Sequence, residues 1–334
     1  MRRNVSVRLV PALLLLICLF GCGGGEPGPQ ESASRTPGGA GTEVARKESE
    51  TAQGAKESGT SGKPAYQAPE FADSAFHAEL AEGNESVKID LSSVSLGYIG
   101  LSAKSDSRVK LQVTKDGEKY NYDVPSDGTP IIFPLQSGNG NYDFFVGEQV
   151  AGGKYAPIYT TDIDVTLKDE FQPFLRPSAY VDYAADSKCV LKAAELAGEA
   201  EDDLGVVEAV FEYICDTVTY DDEKAAYLQG KSGYLPVLDD TLESGKGICF
   251  DYAALAAGML RSQGIPTKMV FGNVSPNNVY HAWNMFYTDK TGWVTVKYEV
   301  KAGEWNRLDL TFSANGADAN FIGDGSNYAD VYYY

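Results

Sequence analysis

The chain has 334 residues, a formal charge of −19, two histidines and five cysteines. Its length suits two domains with cores of their own. The negative charge repels phosphates and argues against nucleic acid as a partner, and the sequence has no glycine-rich phosphate-binding loop that would support nucleotide binding. With two histidines and no paired-cysteine motif, a structural zinc site is not expected, and we predict neither a metal nor a cofactor.

Residues 1–21 are predicted to be a signal peptide. Three arginines make the N-terminus basic, and the apolar run Val10–Phe20 is shorter than a typical membrane-spanning helix. The run ends in Leu19-Phe20-Gly21-Cys22, which resembles the bacterial lipobox. This resemblance implies cleavage before Cys22 and attachment of lipid to that residue; an ordinary signal peptide or short anchor is the alternative. We therefore expect an extracytoplasmic protein that is lipid-anchored to the bacterial cell membrane.

Residues 22–65 are predicted to form a disordered tether, because small and polar residues dominate and large apolar side chains are almost absent. The next segment, 66–170, alternates apolar and polar residues and is predicted to be a β-sandwich-like domain. Asp116-Gly117 is a typical hairpin turn between two such alternating stretches. Further strands are predicted at Val87–Leu91, Tyr98–Ser102, Ile131–Leu135, Tyr142–Val146 and Thr160–Leu167.

A connector is predicted over residues 171–185, where two prolines discourage both a helix and a central strand. Residues 186–334 then form a second domain. It begins with two amphipathic helices, near Asp186–Glu199 and Leu204–Thr217. Cys189 and Cys215 fall on these helices, and two thiols are favoured over a disulfide because two cysteines set no framework.

The strongest chemical signal is the segment Gly247-Ile248-Cys249. Cys249–Ser262 is predicted to be a helix rich in Ala and Leu, closed by Gly264 and Pro266. Cys249 therefore lies in the first helical turn, where unpaired N–H groups and the helix dipole favour the thiolate form. The same N–H groups can receive a developing oxyanion, so Cys249 has the surroundings of a nucleophile.

His281 is the predicted base for this cysteine. It opens a stretch in which His281, Trp283 and Met285 point one way and the residues between them point the other way, which is typical of a strand. Residues 289–292 form the predicted turn into a following strand at Trp293. A nucleophilic cysteine followed by a histidine is the arrangement that cysteine acyl transfer requires.

Three aspartates are candidates for the residue that orients the imidazole. Asp251 lies two residues after the cysteine on the same helix, so it faces away from the thiol. Asp289 lies in the turn at the far end of the histidine strand. Asp309 is favoured, because enough chain separates it from His281 for a neighbouring strand to return beside the histidine.

Four separated motifs resemble the transglutaminase-like superfamily over about residues 186–315. The motifs are Gly247-x-Cys249-x-Asp251-Tyr252-Ala253, Leu260–Pro266, His281-Ala282-Trp283 and Leu308-Asp309-Leu310-Thr311. That family has a papain-like core, in which the cysteine helix packs against an antiparallel sheet that carries the histidine and the aspartate. The resemblance implies that Cys249 is the nucleophile, His281 the general base and acid, and Asp309 the orienting residue. Leu310 stands where the family often has proline.

These features together predict an α+β protein with an all-β, sandwich-like domain before a transglutaminase-like core. The expected activity is that of a peptidase or amidase on protein or cell-wall peptide amides, through a Cys-His-Asp triad. Two alternatives stay open: an amine-accepting, crosslinking transglutaminase, and a catalytically inactive binding or assembly module. The expected partners are a protein or peptide substrate at the cell surface and the membrane, through the lipid anchor.

Overall fold

The computed structural model describes residues 65–274, 279–295 and 328–334. Over these residues the chain has an α+β fold, in which a strand-rich region precedes helices packed on an antiparallel sheet. The predicted fold class is therefore confirmed. The predicted signal peptide and nearly all of the predicted tether lie outside the described residues, and the boundaries at residues 66, 171 and 186 stay predictions.

Two antiparallel sheets of four strands each build the strand-rich region. The strands are β1 (Glu82–Gly83), β2 (Val87–Asp90), β3 (Tyr98–Ala103), β4 (Val109–Lys115), β5 (Glu118–Val124), β6 (Ile131–Pro134), β7 (Gly140–Ala151) and β8 (Lys154–Val165). One sheet has the order β1-β2-β3-β6 and the other the order β5-β4-β7-β8. Buried side chains of both sheets belong to one hydrophobic core, as expected for a sandwich-like arrangement.

The predicted hairpin forms between β4 and β5. Asp116 and Gly117 both have positive φ, 50° and 90°, which is the backbone conformation that a two-residue hairpin turn requires. This turn sets the register in which Val109 pairs with Val124. Because side chains alternate along each strand, this register turns the apolar residues of both strands into the core.

Five helices and six strands follow in the described part of the chain. The helices are α1 (Lys188–Ala197), α2 (Asp203–Thr217), α3 (Asp222–Leu228), α4 (Leu238–Ser244) and α5 (Cys249–Ser262). Strands β9 (Thr219–Tyr220) and β10 (Lys246–Gly247) form a short parallel pair. The main sheet has the order β13-β12-β11-β14, built from β11 (Thr267–Val274), β12 (Val279–Thr288), β13 (Gly292–Thr295) and β14 (Tyr328–Tyr333).

Helix α5 is the centre of this second part. Every residue from Asp251 to Ser262 is buried, because α1, α2 and α4 pack on one side of the helix and β11 and β12 on the other. Its many alanines and Gly258 allow such close approach: a Cβ added to Gly258 would lie 2.3 Å from Leu238 Cδ2 of α4. The predicted packing of the cysteine helix against an antiparallel sheet is confirmed.

Aromatic rings join the strand-rich region to the main sheet. We call the group Tyr120, Tyr122, Tyr180, Phe271 and Tyr334 the aromatic seam. The Tyr334 ring lies 5.5 Å from Tyr120, 5.7 Å from Tyr122 and 4.8 Å from Tyr180, measured between ring centroids. One continuous hydrophobic core therefore runs from the sandwich-like sheets into the helices.

Several elements were not predicted from the sequence. Helices α3 and α4 have seven residues each, too few for a clear helical period. A capping signal was present, since the Asp221 side chain accepts a hydrogen bond from Lys224 N at 2.9 Å and so caps α3. Strands β11 and β14 were also not predicted.

Candidate active site

The loop that leads to Cys249 is fixed by backbone hydrogen bonds. Helix α4 ends at Ser244 and is capped by Gly245, whose φ of +61° lies in the left-handed region that favours glycine. Strand β10 then pairs with β9, with Thr219 N donating to Gly245 O at 2.9 Å and Asp221 N donating to Gly247 O at 3.0 Å. These bonds determine where the chain enters α5.

Cys249 is the first residue of α5, as the sequence predicts. Ile248 precedes it in an extended conformation, with ψ 173°, so the first N–H groups of the helix are at its free end. The thiol is half-buried. Burial, and then the charges of Cys249, Asp222 and Asp251, raise the pKa of Tyr220, so its hydroxyl stays protonated.

Asp251 stabilises the start of the helix. Its carboxylate is fully buried and accepts a hydrogen bond from Ile248 N at 2.8 Å, and Lys224 Nζ lies 2.8 Å from the same oxygen. The Tyr234 hydroxyl donates to the other oxygen. Gly247 is required here, because a Cβ at that position would lie 2.7 Å from Asp251 Cβ.

His281 lies in β12, where it is paired with Gly272 of β11 and is 5% exposed. Its ring stacks with that of Trp283, with 6.4 Å between centroids. Trp283 packs with Val270 in a small apolar cluster that is separate from the main core. The predicted alternation is therefore observed: His281 and Trp283 share one face of the sheet, while Ala282 belongs to the main core on the other face.

The first turns of α5 lie against β12. Asn284 Nδ2 donates to Ala253 O at 2.9 Å, which ties the strand to the helix one turn after the cysteine. Phe250 contacts Phe271 at 5.0 Å, and Phe271 is the strand partner of Ala282. Thus the residue after Cys249 contacts the strand partner of the residue after His281.

Two predicted site residues, Asp309 and Cys22, lie outside the described residues. Asp289 follows the last residue of β12, at the far end of the strand from His281. Cys189 and Cys215 are free thiols, and Cys189 is buried. Within the part of the chain that the structure describes, no group of three or more His, Cys, Asp and Glu side chains is arranged to hold a metal ion.

Residues 192–298 match the family model described as the transglutaminase-like superfamily. The chain contains a transglutaminase-like domain. The match spans α2 to α5 and the strand that carries His281, so the fold and the family agree over the same residues. No curated protein matches the chain.

Solved structures similar to the chain include proteins from two bacteria. A candidate cysteine protease from Cytophaga hutchinsonii is 18% identical, with a TM-score of 0.34, over 70% of this chain and 80% of that one. The periplasmic domain of TgpA from Pseudomonas aeruginosa is 14% identical, with a TM-score of 0.31, over 79% of this chain and 81% of that one. The assignment of the transglutaminase-like domain depends on the family match.

The sequence did not predict that three further residues lie near the start of α5: Tyr220, Lys224 and Tyr234. All three lie in the region between α2 and α4, where the sequence has no long periodic pattern. The acidic capping residue Asp221 marks the start of α3. It was the sequence feature that could have placed Lys224 in a helix. No sequence signal indicated that Tyr234 reaches Asp251.

Proposed function

We propose that the protein is a cysteine acyl-transfer enzyme in which Cys249 is the nucleophile, His281 the general base and acid, and Asp309 the residue that orients the imidazole. The observation that carries the proposal is the position of Cys249 as the first residue of α5, a helix whose next turn is hydrogen-bonded to β12, the strand that bears His281. The transglutaminase-like family match supports the same assignment.

In the proposed reaction the Cys249 thiolate attacks the carbonyl carbon of a carboxamide or peptide bond. The oxyanion that forms is received by free N–H groups of the first turn of α5. His281 accepts the thiol proton and returns it to the departing nitrogen, which leaves as ammonia or an amine. Water then attacks the thioacyl enzyme, gives its proton to His281 and releases the acid; an amine acceptor would give a crosslink instead.

The proposal sets a geometric requirement on His281. Since its side chain shares a face with Trp283, the imidazole has to reach the thiol around the end of β12 rather than across the sheet face that contacts α5. His281 is two residues from the first residue of β12, and β13 pairs only with residues from Met285 to Thr288 among those described. That end of the strand is therefore the part on which the proposal depends.

The proposed substrates are protein or cell-wall peptide amides outside the cytoplasm. The lipobox-like leader supports this location and a lipid anchor on Cys22. Among the described residues there is no helix with the length and apolar character needed to span a membrane. The strongly negative charge supports neither nucleic acid nor nucleotide as a partner.

Alkylation of the folded protein tests the nucleophile and its base. Iodoacetamide at pH 6 should modify Cys249 at least about tenfold faster than half-buried Cys215, because a helix start and an imidazolium stabilise thiolate. His281→Ala should remove that advantage, whereas His77→Ala, the matched control, should not. Mass spectrometry of the cysteine peptides measures all rates at once. Equal rates at Cys249 and Cys215 in the wild-type protein would contradict the proposal.

A glutamine-containing peptide separates the two acceptors. Release of ammonia with formation of glutamate indicates hydrolysis, and incorporation of a fluorescent primary amine indicates crosslinking. We expect hydrolysis, because water competes for the thioacyl enzyme unless a site excludes it.

A second candidate function is a catalytically inactive binding module, favoured by the packing of the His281 ring against Trp283. In that case the surface around the start of α5 holds a peptide without cleaving it. His281→Ala would then change stability, because the ring is 5% exposed, and would leave the alkylation rate of Cys249 unchanged.

Replacement of the lipidated residue tests the location. Cys22→Ala should release the mature protein from the membrane fraction or leave the leader uncleaved, because lipid attachment is the proposed anchor. Cell fractionation with intact-mass analysis measures both outcomes, and Cys18→Ala is the matched control. A Cys22→Ala protein that stays in the membrane fraction with its leader removed would contradict lipid anchoring.

A further inference from the structure

One segment links the strand-rich region to the start of α5. Residues 229–237, between α3 and α4, are here called the clasp. At one end Arg108, just before β4, donates from Nη2 to Ser232 Oγ at 2.7 Å. The same guanidinium donates from Nε to Asp123 of β5 at 2.7 Å, so the sheet orients the arginine that holds the clasp.

The other end of the clasp reaches the helix that begins with Cys249. The Tyr234 hydroxyl donates to Asp251, whose second oxygen accepts from Ile248 N. The Tyr234 ring also contacts Phe250 at 5.9 Å, and Lys224 Nζ lies 4.8 Å from the centre of the Tyr234 ring. A continuous series of contacts thus runs from the sandwich-like sheet to the residue that precedes the cysteine.

We propose that Arg108 and Tyr234 are positioning residues for Cys249. The clasp holds the Asp251 carboxylate on Ile248 N and so keeps the first turn of α5, which carries the thiol, in helical geometry. This inference rests on the proposed role of Cys249 as nucleophile. It gives the strand-rich region a part in the reaction, because its arginine holds the clasp from outside the transglutaminase-like domain.

The physical reason lies in the free N–H groups of the first turn. They favour the thiolate only while the turn keeps its helical geometry. Without the Tyr234 hydroxyl, one oxygen of the buried Asp251 loses that donor, and the carboxylate is held only through its other oxygen, by Ile248 N and Lys224 Nζ, so its hold on Ile248 N weakens. Tyr234 stays protonated and able to donate, because burial and then its bond to Asp251 raise its pKa. The other ionisable groups that face this point are Tyr220, Lys224, Asp221, Asp222 and Asp240.

The ratio of Cys249 alkylation rates at pH 6 and pH 9 tests the clasp in the full-length protein. An ordinary thiol is mostly ionised at pH 9, so stabilisation of a thiolate by the first turn should act mainly on the rate at pH 6. Tyr234→Phe should lower the ratio about fivefold, the equivalent of one hydrogen bond. Arg108→Met should lower it about threefold, as the more distant link. Tyr227→Phe, at an exposed tyrosine of α3, is the matched control and should leave it unchanged.

Two further variants separate positioning from general loss of stability. Arg108→Lys keeps the charge, but a single ammonium cannot reproduce the two-pronged guanidinium contact, so it should behave like Arg108→Met. The double variant Arg108→Met/Tyr234→Phe should match Tyr234→Phe alone, because Arg108 acts through Tyr234. Fully additive effects, or a ratio unchanged in Tyr234→Phe, would overturn the proposal. Buried Cys189 reports unfolding, and its alkylation should stay slow in every variant.

Hydrogen exchange of residues 248–252 distinguishes failure of the clasp from failure of the proposed function. Faster exchange in Tyr234→Phe supports the clasp even if Cys249 proves unreactive, and only the nucleophile is then wrong. Unchanged exchange overturns the clasp, even if His281→Ala slows the alkylation of Cys249 and so supports the nucleophile.

Discussion

Asp90 illustrates how a buried residue acquires partners that the sequence does not indicate. Its side chain is 1% exposed, and it accepts hydrogen bonds from His77 N at 2.7 Å and Ser92 N at 2.9 Å. His77 Nδ1 lies 3.0 Å from the same carboxylate. Burial raises the pKa of Asp90, but the hydrogen bonds from Ser92 and His77 outweigh it and leave the pKa below its usual value. His77, to which the sequence analysis gave no role, thus stabilises an ionised core carboxylate.

Asp90→Asn should cost about 1–3 kcal/mol of unfolding free energy at pH 7. The NH2 group of the asparagine amide would face at least one of the N–H groups that now donate to the carboxylate, and two donors cannot form a hydrogen bond. The folded-state pKa of Asp90 is lowered, so its contribution is complete above the unfolded value of about 3.9 and is lost as the pH falls through the folded value. Urea titrations at pH 7 and near pH 3 measure this difference, which should shrink on acidification. Asp143→Asn, at an exposed position of β7, should change stability by less than about 0.5 kcal/mol. A pH-independent cost would exclude the ionised carboxylate as its source.

At the scale of elements, α5 combines chemistry with dense packing. The helix is buried along nearly its whole length, because its small residues allow three helices and a sheet to approach it. The same close packing continues into the preceding loop, where Gly247 lies against Asp251 and Thr241. The position of Cys249 therefore depends on neighbours that have no part in the chemistry.

Gly247→Ala should destabilise the protein by about 1–3 kcal/mol, the usual cost of overpacking. The added methyl group would lie 2.7 Å from Asp251 Cβ and 3.2 Å from Thr241 Cγ2, so these neighbours would have to shift. Gly198→Ala, at the end of α1, is the matched control: its nearest atoms would be 3.4 Å away and its φ is −62°. Thermal unfolding measures both. Equal stability of the two variants would mean that the start of α5 yields more easily than its contacts indicate.

At the scale of the whole molecule, the aromatic seam makes the two parts of the chain one core. Tyr122 is 1% exposed, and its ring lies 4.8 Å from Phe133 within the strand-rich region and 5.7 Å from Tyr334 beyond it. Its hydroxyl accepts a hydrogen bond from Gln136 at 2.9 Å. Aromatic contacts of this kind add to the free energy of area burial, so the two parts stabilise each other.

Calorimetry of the whole protein should show a single unfolding transition, because the core is continuous across the seam. Tyr122→Ala should lower the stability of that transition by about 3–5 kcal/mol and move it as a whole. Tyr227→Ala, which truncates a 68% exposed tyrosine, should move it little. Two separate transitions, of which only the first responds to Tyr122→Ala, would show that the parts unfold independently.

The sequence predicted those features of the fold that have long periodic patterns. Helix α5 begins at Cys249 and ends at Ser262 as predicted, and the predicted hairpin forms at Asp116-Gly117. The alternation around His281 was also correct. The seven-residue helices α3 and α4 were not predicted, because α3 is stabilised by its Asp221 cap and α4 by packing against α1 and α5 rather than by a repeating pattern.

The sequence by itself determined the α+β class, the transglutaminase-like motifs and the helix start occupied by Cys249, because local periodicity and capping residues specify such features along the chain. Only the tertiary structure decided that Asp251 pairs with Lys224 and Tyr234, that the His281 ring lies beside Trp283, and that Arg108 reaches the clasp. Arg108 and Ser232 are far apart in the sequence and have no shared period. Their meeting depends on how the aromatic seam docks the strand-rich sheets against the helices, which is a property of packing and not of any local pattern.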